Sequence, residues 1–257
     1  MKHLVYCTAC RMLRSLVMLL LLVVATATQA QVGEHRNDFS LGFNGGVSFN
    51  SIGFQPTVSQ GMHKGFSGGL SMRYVCEKYF KTICSVMAEV NYTQLGWEED
   101  ILTPQEQPVI NPVTGLAEEY KRTISYLQLP IMAHLAWGRE RSGVQFFVQA
   151  GPQFGLYLSE STTTNFTYET RNVTDRSNKV SEQYLMSVEN KFDYGIAAGL
   201  GMEYSIPSVG HFLLEGRYYY GLGNIYDNTK RDYFGKSNHQ TIHVKLTYLF
   251  DITKTKI

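Results

Sequence analysis

Residues 241–250, TIHVKLTYLF, place Ile242, Val244, Leu246, Tyr248 and Phe250 at every second position, against Thr241, His243, Lys245, Thr247 and Leu249. Successive side chains of a strand point to opposite faces, so this stretch is a strand with one apolar face. The rhythm recurs in seven earlier stretches: 39–49 (FSLGFNGGVSF), 66–74 (FSGGLSMRY), 82–92 (TICSVMAEVNY), 123–137 (TISYLQLPIMAHLAW), 144–157 (VQFFVQAGPQFGLY), 191–204 (KFDYGIAAGLGMEY) and 211–222 (HFLLEGRYYYGL). The connectors between them run long and short in turn: 50–64 long, 76–81 short, 96–122 long, 138–142 short, 159–190 long, 207–210 short and 223–238 long. Tight turns at one end and long loops at the other mark an antiparallel up-and-down barrel, in which an even strand number returns both termini to the tight-turn end. The expected fold is all-β, an eight-stranded antiparallel up-and-down transmembrane β-barrel, for the following reasons.

Alternation alone does not say which face looks inward. A soluble barrel of the lipocalin kind turns its apolar side chains in, and a transmembrane barrel turns them out. Length favours the membrane: the stretches run to roughly 10 to 14 residues, enough to cross a bilayer at a tilt, whereas globular strands run to about 5 or 6. The sorting of aromatic residues by height favours it too. With the first strand running upward, Phe39, Tyr74, Trp137, Phe146, Tyr204, Phe212, Tyr248 and Phe250 fall at the lower end of the apolar face. Phe49, Phe66, Tyr92, Phe192, Tyr194 and Tyr220 fall at the upper end, and Val86, Ala88, Ile131, Val148, Ala198 and Val244 lie between. Two aromatic belts about an aliphatic waist match the two interfaces of a bilayer, where amphipathic rings prefer to sit. The opposite face carries Arg73, Lys191, Arg217 and Lys245 with Glu89, Asp193, Glu203 and Glu215, among glycines and glutamines. Balanced charge suits a packed interior, where an isolated charge is costly; the competing reading is a solvated outer face. Eight strands leave a lumen that side chains can fill, so a plugged barrel is expected rather than an open channel.

The start of the chain fits an exported protein. Lys2, Arg11 and Arg14 flank or precede the apolar run 16–27, and Thr28, Gln29 and Ala30 put small residues where a signal peptidase reads. The expected organisation is a signal peptide over 1–30, cleaved before Gln31, and a barrel domain over 31–257. A membrane anchor, the competing reading, needs about 20 apolar residues. Cleavage takes three of the 23 Lys and Arg, leaving 20 against 22 Asp and Glu, a balance that offers nothing to nucleic-acid phosphates. Of four cysteines, Cys76 and Cys84 remain, flanking a turn near Phe80. In a symmetric hairpin they would face each other with Cβ atoms about 4.5–5.5 Å apart. The oxidising periplasm permits a disulfide there; two free thiols are the alternative.

Catalytic signatures are sparse. The chain has no GxSxG elbow and no HExxH zinc motif. His134 and His211 near the lower rim, His243 inside, Ser125 and Glu89 are the groups that a rim-located lipid-modifying enzyme would draw on, but a lumen histidine is more often a hydrogen-bonded interior residue than a base. GLGMEY contains GxG yet opens no helix, which argues against a nucleotide site. No cofactor or metal is implied. Glu98, Glu99, Asp100, Glu106, Glu118 and Glu119 in loop 96–122 match no calcium-loop spacing. With the Ser-, Thr- and Asn-rich loop 159–190 they read as a solvated surface.

Seven segments in order resemble the PorT-type outer-membrane β-barrel family of Bacteroidota: 65–80 (GFSGGLSMRYVCEKYF), 91–97 (NYTQLGW), 126–138 (YLQLPIMAHLAWG), 148–160 (VQAGPQFGLYLSE), 191–204 (KFDYGIAAGLGMEY), 215–225 (EGRYYYGLGNI) and 246–250 (LTYLF). The resemblance implies a small barrel of the bacterial outer membrane; the family's named member belongs to the type IX protein secretion apparatus. The closing strand, with Ile242, Val244, Leu246, Tyr248 and Phe250, also resembles the signal by which such barrels are recognised for assembly, although seven residues follow Phe250. The expected role is structural or interactive, with outer-membrane lipid and an envelope protein complex as partners. The alternatives are the lipid-modifying enzyme and a porin-like small-solute pore.

Overall fold

The computed structural model describes residues 33–227, 229 and 232–255; the expected signal peptide and its cleavage position lie outside them. The alternating stretches form β1 (Glu34–Gln55), β3 (His63–Tyr79), β4 (Thr82–Glu99), β5 (Tyr120–Gly138), β6 (Gly143–Thr164), β7 (Phe192–Ile206), β8 (Gly210–Gly221) and β9 (Lys236–Thr253), with a two-residue strand β2 (Gln60–Gly61) set against the top of β4. Each long strand pairs antiparallel with the next, and β1 pairs with β9, so the sheet closes on itself with eight staves. At the closing seam the backbones leave no room for a side chain at Gly42, where a Cβ would lie 1.7 Å from the Tyr248 carbonyl oxygen. Among the described residues no helix is long and apolar enough to cross a membrane; the crossing is made by strands.

Tight turns at Phe80–Lys81, 139–142 and 207–209 mark the lower end, and the long connectors 56–62, 100–119 and 165–191, with 222–227 and 232–235, gather at the upper end. Phe43, Val47, Leu70, Val86, Val90, Ile131, Val148, Leu200 and Val244 are exposed, and their neighbours in sequence face the interior. The apolar face therefore looks outward, as a bilayer requires.

Several strands run further upward than their apolar rhythm indicates, and there the polarity of the two faces exchanges. On β1 the inward side chains Ser40, Asn44, Ser48 and Asn50 are followed by Ile52 and Phe54, while outward Phe43 and Val47 give way to Ser51, Gly53 and Gln55. On β4 inward Glu89, Asn91 and Thr93 are followed by Leu95 and Trp97, while outward Val90 and Tyr92 give way to Gln94 and Glu98. The exchange marks the height at which lipid ends and water begins. Above it the strands obey the rule of a soluble protein, apolar within and polar without.

Ile52, Phe54, Leu95, Trp97, Tyr120, Ile124 and Tyr126 from the strands meet Val58, Val109, Phe166, Val188, Tyr226 and Phe234 from the long connectors in one buried cluster. The upper loops are thus folded into a lid with its own core. Lower in the barrel a second cluster, including Met87, Met132, Phe147, Leu213 and Leu249, shares the lumen with charged side chains.

Candidate functional site

The lumen brings together polar side chains from strands far apart in sequence. Midway along it Glu89 of β4 receives a fork-on-fork pair from Arg217 of β8, Nη1 to Oε2 at 3.0 Å and Nη2 to Oε1 at 2.8 Å. Lys245 of β9 donates to Glu89 Oε2 at 2.5 Å, as does Asn91 at 2.7 Å. Glu215 lies 2.8 Å from Arg217 Nη2 and accepts from Gln149 of β6 at 2.5 Å. Two acids and two bases, all at least 97 % buried, tie opposite walls of the barrel together. Such a cluster persists in a dry interior only when every charge is paired.

A second ionic knot sits at the lower end, near the tight turns. Arg73 Nη1 of β3 donates to Glu203 Oε2 of β7 at 2.6 Å, and Glu203 Oε1 lies 2.7 Å from Nδ1 of His211 on β8. His211 Nε2 is 3.1 Å from Asp251 of β9, which also accepts from Ser40 at 2.6 Å and pairs with Lys254 at 2.7 Å. Below it Glu140 joins Arg36 and Lys78 across the opening. What remains is a vestibule of about 40 Å³ lined by Ser40, Arg73, His134 and Glu203 among others.

Ser205, His211 and Asp251 form a superficially triad-like row, with Ser205 Oγ 2.8 Å from Nδ1. The resemblance to a hydrolase ends there. Glu203 holds the same ring nitrogen at 2.7 Å, and the Ser205 hydroxyl donates to Glu203 at 3.2 Å. The nitrogen that would have to take the serine proton is therefore committed to a carboxylate, and Ser205 itself is 2 % exposed. Ser85 likewise contacts His134 at 3.2 Å with both groups buried.

The upper end is shut by rings and by a polar chain. Phe54 meets Trp97 edge to face at 5.2 Å and Phe234 at 5.0 Å. Arg122 stands 5.2 Å from the Trp97 ring centre and 5.8 Å from that of Tyr120, and donates to the Met186 carbonyl and the Tyr226 hydroxyl. Glu118 pairs with Arg176 at 2.6 Å, Arg176 donates to the Tyr184 hydroxyl at 2.7 Å, and that hydroxyl donates to Glu99 Oε2 at 2.5 Å. Glu99 stands above the lipid band, and burial raises its carboxyl above the ordinary glutamate range against the pull of its bonds to Tyr184, Gln183 and Trp97.

Seven of the eight charges expected in the lumen are buried. Arg73 and Glu203 form one group, and Glu89, Glu215, Arg217 and Lys245 another; Asp193 stands apart, accepting from Tyr219 at 2.7 Å. Lys191 is a correction. It precedes β7, is exposed, and turns its amine to the Val188 carbonyl and the face of Tyr157, because the strand begins one residue later than its alternation implied. The acidic loop also needs correcting: Glu118 is 5 % exposed and held by Arg176 rather than solvated. Cys76 and Cys84 are free thiols here. A bulge between Val75 and Glu77 takes Cys76 out of register and sets Cys84 opposite Glu77. Ile242, Val244, Leu246, Tyr248 and Phe250 share the outward face of β9, which continues three residues beyond Phe250. Asp251 lies in phase with Lys245 and Leu249, so carrying the alternation one step past Phe250 would have placed it in the lumen.

The sequence matches, over residues 29–227, the family described as outer membrane protein beta-barrel domain. No curated protein matches it significantly. Among solved structures, OprG from Pseudomonas aeruginosa is 13% identical with a TM-score of 0.40, covering 85% of this chain and 98% of its own. Neisserial surface protein A is 12% identical with a TM-score of 0.38, covering 82% and 97%. Ail, the attachment invasion locus protein of Yersinia pestis, is 11% identical with a TM-score of 0.36, covering 84% and 99%. The family match spans most of a chain whose eight strands close with their apolar face outward and charged side chains buried within. This protein belongs to the outer membrane protein β-barrel domain family and is a small barrel of the bacterial outer membrane.

Proposed function

We propose that this barrel works through its surfaces, as a structural or interaction component of the envelope accessory to a larger assembly, of which protein secretion is the leading instance. The observation that carries this reading is the lumen, shut by an ionic knot below, a four-charge cluster midway and an aromatic lid above. A barrel whose lumen is filled in this way among the described residues has its outer wall, its loops and its turns to act with. The ordered likeness of 65–80, 126–138 and 191–204 to PorT-type barrels supports the secretion assignment. The same reading has residues 1–30 removed as a signal peptide, 31–257 forming the barrel domain, and the outward face of β9 serving as the assembly signal.

The test is extraction of the tagged protein from native outer membranes in mild detergent, with mass spectrometry of what co-migrates. A stoichiometric envelope complex is the expected result, and its members name the pathway. A solitary heat-modifiable barrel sinks the accessory role. Planar bilayers containing the purified protein should show no steady conductance, and His211→Asn should leave the lipid A of the host membrane unchanged. A stable open level or an altered lipid A would move the pore or the enzyme reading to the front.

A further inference from the structure

We infer that the upper part of β6 is a docking edge for an extended segment of a partner protein, added as one more strand outside the membrane. The inference rests on the interaction reading above and says where and how contact is made. β6 pairs with β5 as far as Thr164, opposite Tyr120, but its pairing with β7 stops at Leu156, opposite Phe192. One further backbone bond, Tyr157 N to the Lys191 carbonyl at 2.8 Å, closes the ladder. From 158 to 164 the other edge of β6 makes no backbone hydrogen bond to any described residue, and six of those seven residues are exposed.

The sequence of this edge, LSESTTT, has neither lysine nor proline, and Leu158 forms a bulge at its start, so the regular edge runs from Ser159 to Thr164. Proteins blunt exposed edges with lysine, proline or coverage by a loop. Here there is one acidic residue, Glu160, whose carboxylate turns to the Val188 amide, and four hydroxyl residues follow it. Threonine has high strand propensity. A row of unpaired amides and carbonyls at strand spacing is matched by an extended polypeptide, because only a backbone repeats donor and acceptor at that interval.

A socket beside the edge gives such a strand something to read. Thr162 and Thr164 of β6, Tyr120 of β5, and Phe166, Tyr168 and Tyr184 of the lid line a cleft of about 250 Å³. The Tyr120 hydroxyl is buried there beside the Thr162 and Arg122 side chains. In strand addition the main chain supplies affinity and pockets for alternate side chains supply selectivity. An apolar or aromatic side chain with a polar tip fits this cleft.

A second copy of this chain is a poor occupant. Two barrels in one membrane share its normal, and with strands tilted by about 35–45° their facing edges cross at roughly 70–90°, too steep to pair. A flexible segment has no such restriction.

The experiment pans a random peptide library against the full-length protein in lipid nanodiscs. Expected are peptides of alternating apolar and polar residues without proline, whose affinity falls about tenfold or more when alternate amides are N-methylated in one phase and little in the other. Ser161→Lys combined with Thr163→Lys should abolish their binding while the barrel stays heat-modifiable. No enriched peptides, or peptides indifferent to N-methylation in both phases, overturns the inference even if the lysine variant fails to fold. A complex recovered from native membranes that withstands the two lysines also overturns it, and leaves the accessory reading intact.

Discussion

The middle of the lumen and the lid above it solve the same problem, filling the inside of one barrel, with opposite chemistry. At bilayer height the interior holds Glu89, Glu215, Arg217 and Lys245; a short distance up the barrel it holds Phe54, Trp97, Tyr120 and Tyr226. The difference follows from what lies outside. Where lipid surrounds the wall, the outward positions take the apolar residues, and the alternation assigns the inward positions to polar ones. Where water surrounds it, the outward positions are polar and the inward positions are free to form an ordinary hydrophobic core. The lower region is tied by charge pairs that fail if one member is missing, and the upper by contact area that degrades more gradually.

Glu89→Ala should give the largest effect. It leaves Arg217 and Lys245 facing each other without their shared carboxylate, and one-sided loss of a buried pair costs about 3–5 kcal/mol. A urea titration of the folded barrel in lipid vesicles, read by its gel shift, checks the figure. Replacing Glu89, Glu215, Arg217 and Lys245 together by apolar residues of similar volume should be neutral or stabilising by about 1–4 kcal/mol. If the single change is harmless, the cluster is not holding the walls together.

Trp97→Ala should act on the lid alone. Truncating a fully buried tryptophan costs about 3–5 kcal/mol where its neighbours cannot collapse. Because Trp97 touches the loop core and not the mid-lumen charges, external protease should cut loops 100–119 and 165–191 while the barrel's urea midpoint barely moves. A midpoint that falls with lid protection would show that the two regions form one cooperative unit. Tyr184→Phe should loosen the same loops by a smaller step of about 1–2 kcal/mol, since it removes the donor to Glu99 and the acceptor for Arg176.

The two regions also differ in how far the sequence discloses them. At bilayer height period two suffices: the eight strands, their outward faces and the inward placement of Arg73, Glu89, Glu203, Glu215, Arg217 and Lys245 follow from counting by twos. Which charges meet does not follow, because a contact such as Arg73 with Glu203 depends on barrel shear and not on spacing. The lid was illegible for a different reason. The exchange of polarity at Asn50–Ile52 and at Thr93–Leu95 breaks the apolar rhythm, so strands still running look like loops that have begun. Reading each face separately recovers the signal: Ile52, Phe54, Leu95 and Trp97 stay in phase with the inward set below them. The bulge that separates Cys76 from Cys84 left no such trace.

Glu99 provides the smallest and most diagnostic test of the contrast, because it is a titrating group in the lid and not in the membrane-level cluster. Burial raises its carboxyl, so the folded lid binds the proton more tightly than the opened loop does. When the folded state holds more protons, stability rises as pH falls. The gain begins as pH drops through the raised value and is complete near the ordinary glutamate range of about 4.3. Glu169, held below that range by its hydrogen bonds, contributes in the opposite sense only at lower pH. His63, at the upper end of β3, is held down to about 4 by burial and pulls the other way between pH 7 and pH 5. The share of Glu99 is therefore the difference between the two proteins: on going from pH 7 toward pH 5, protease protection of loops 100–119 and 165–191 should fall further, or rise less, in Glu99→Gln than in the unchanged chain. Identical slopes in the two would assign the lid's pH response to other groups and separate it from the chain that runs through Tyr184 and Arg176.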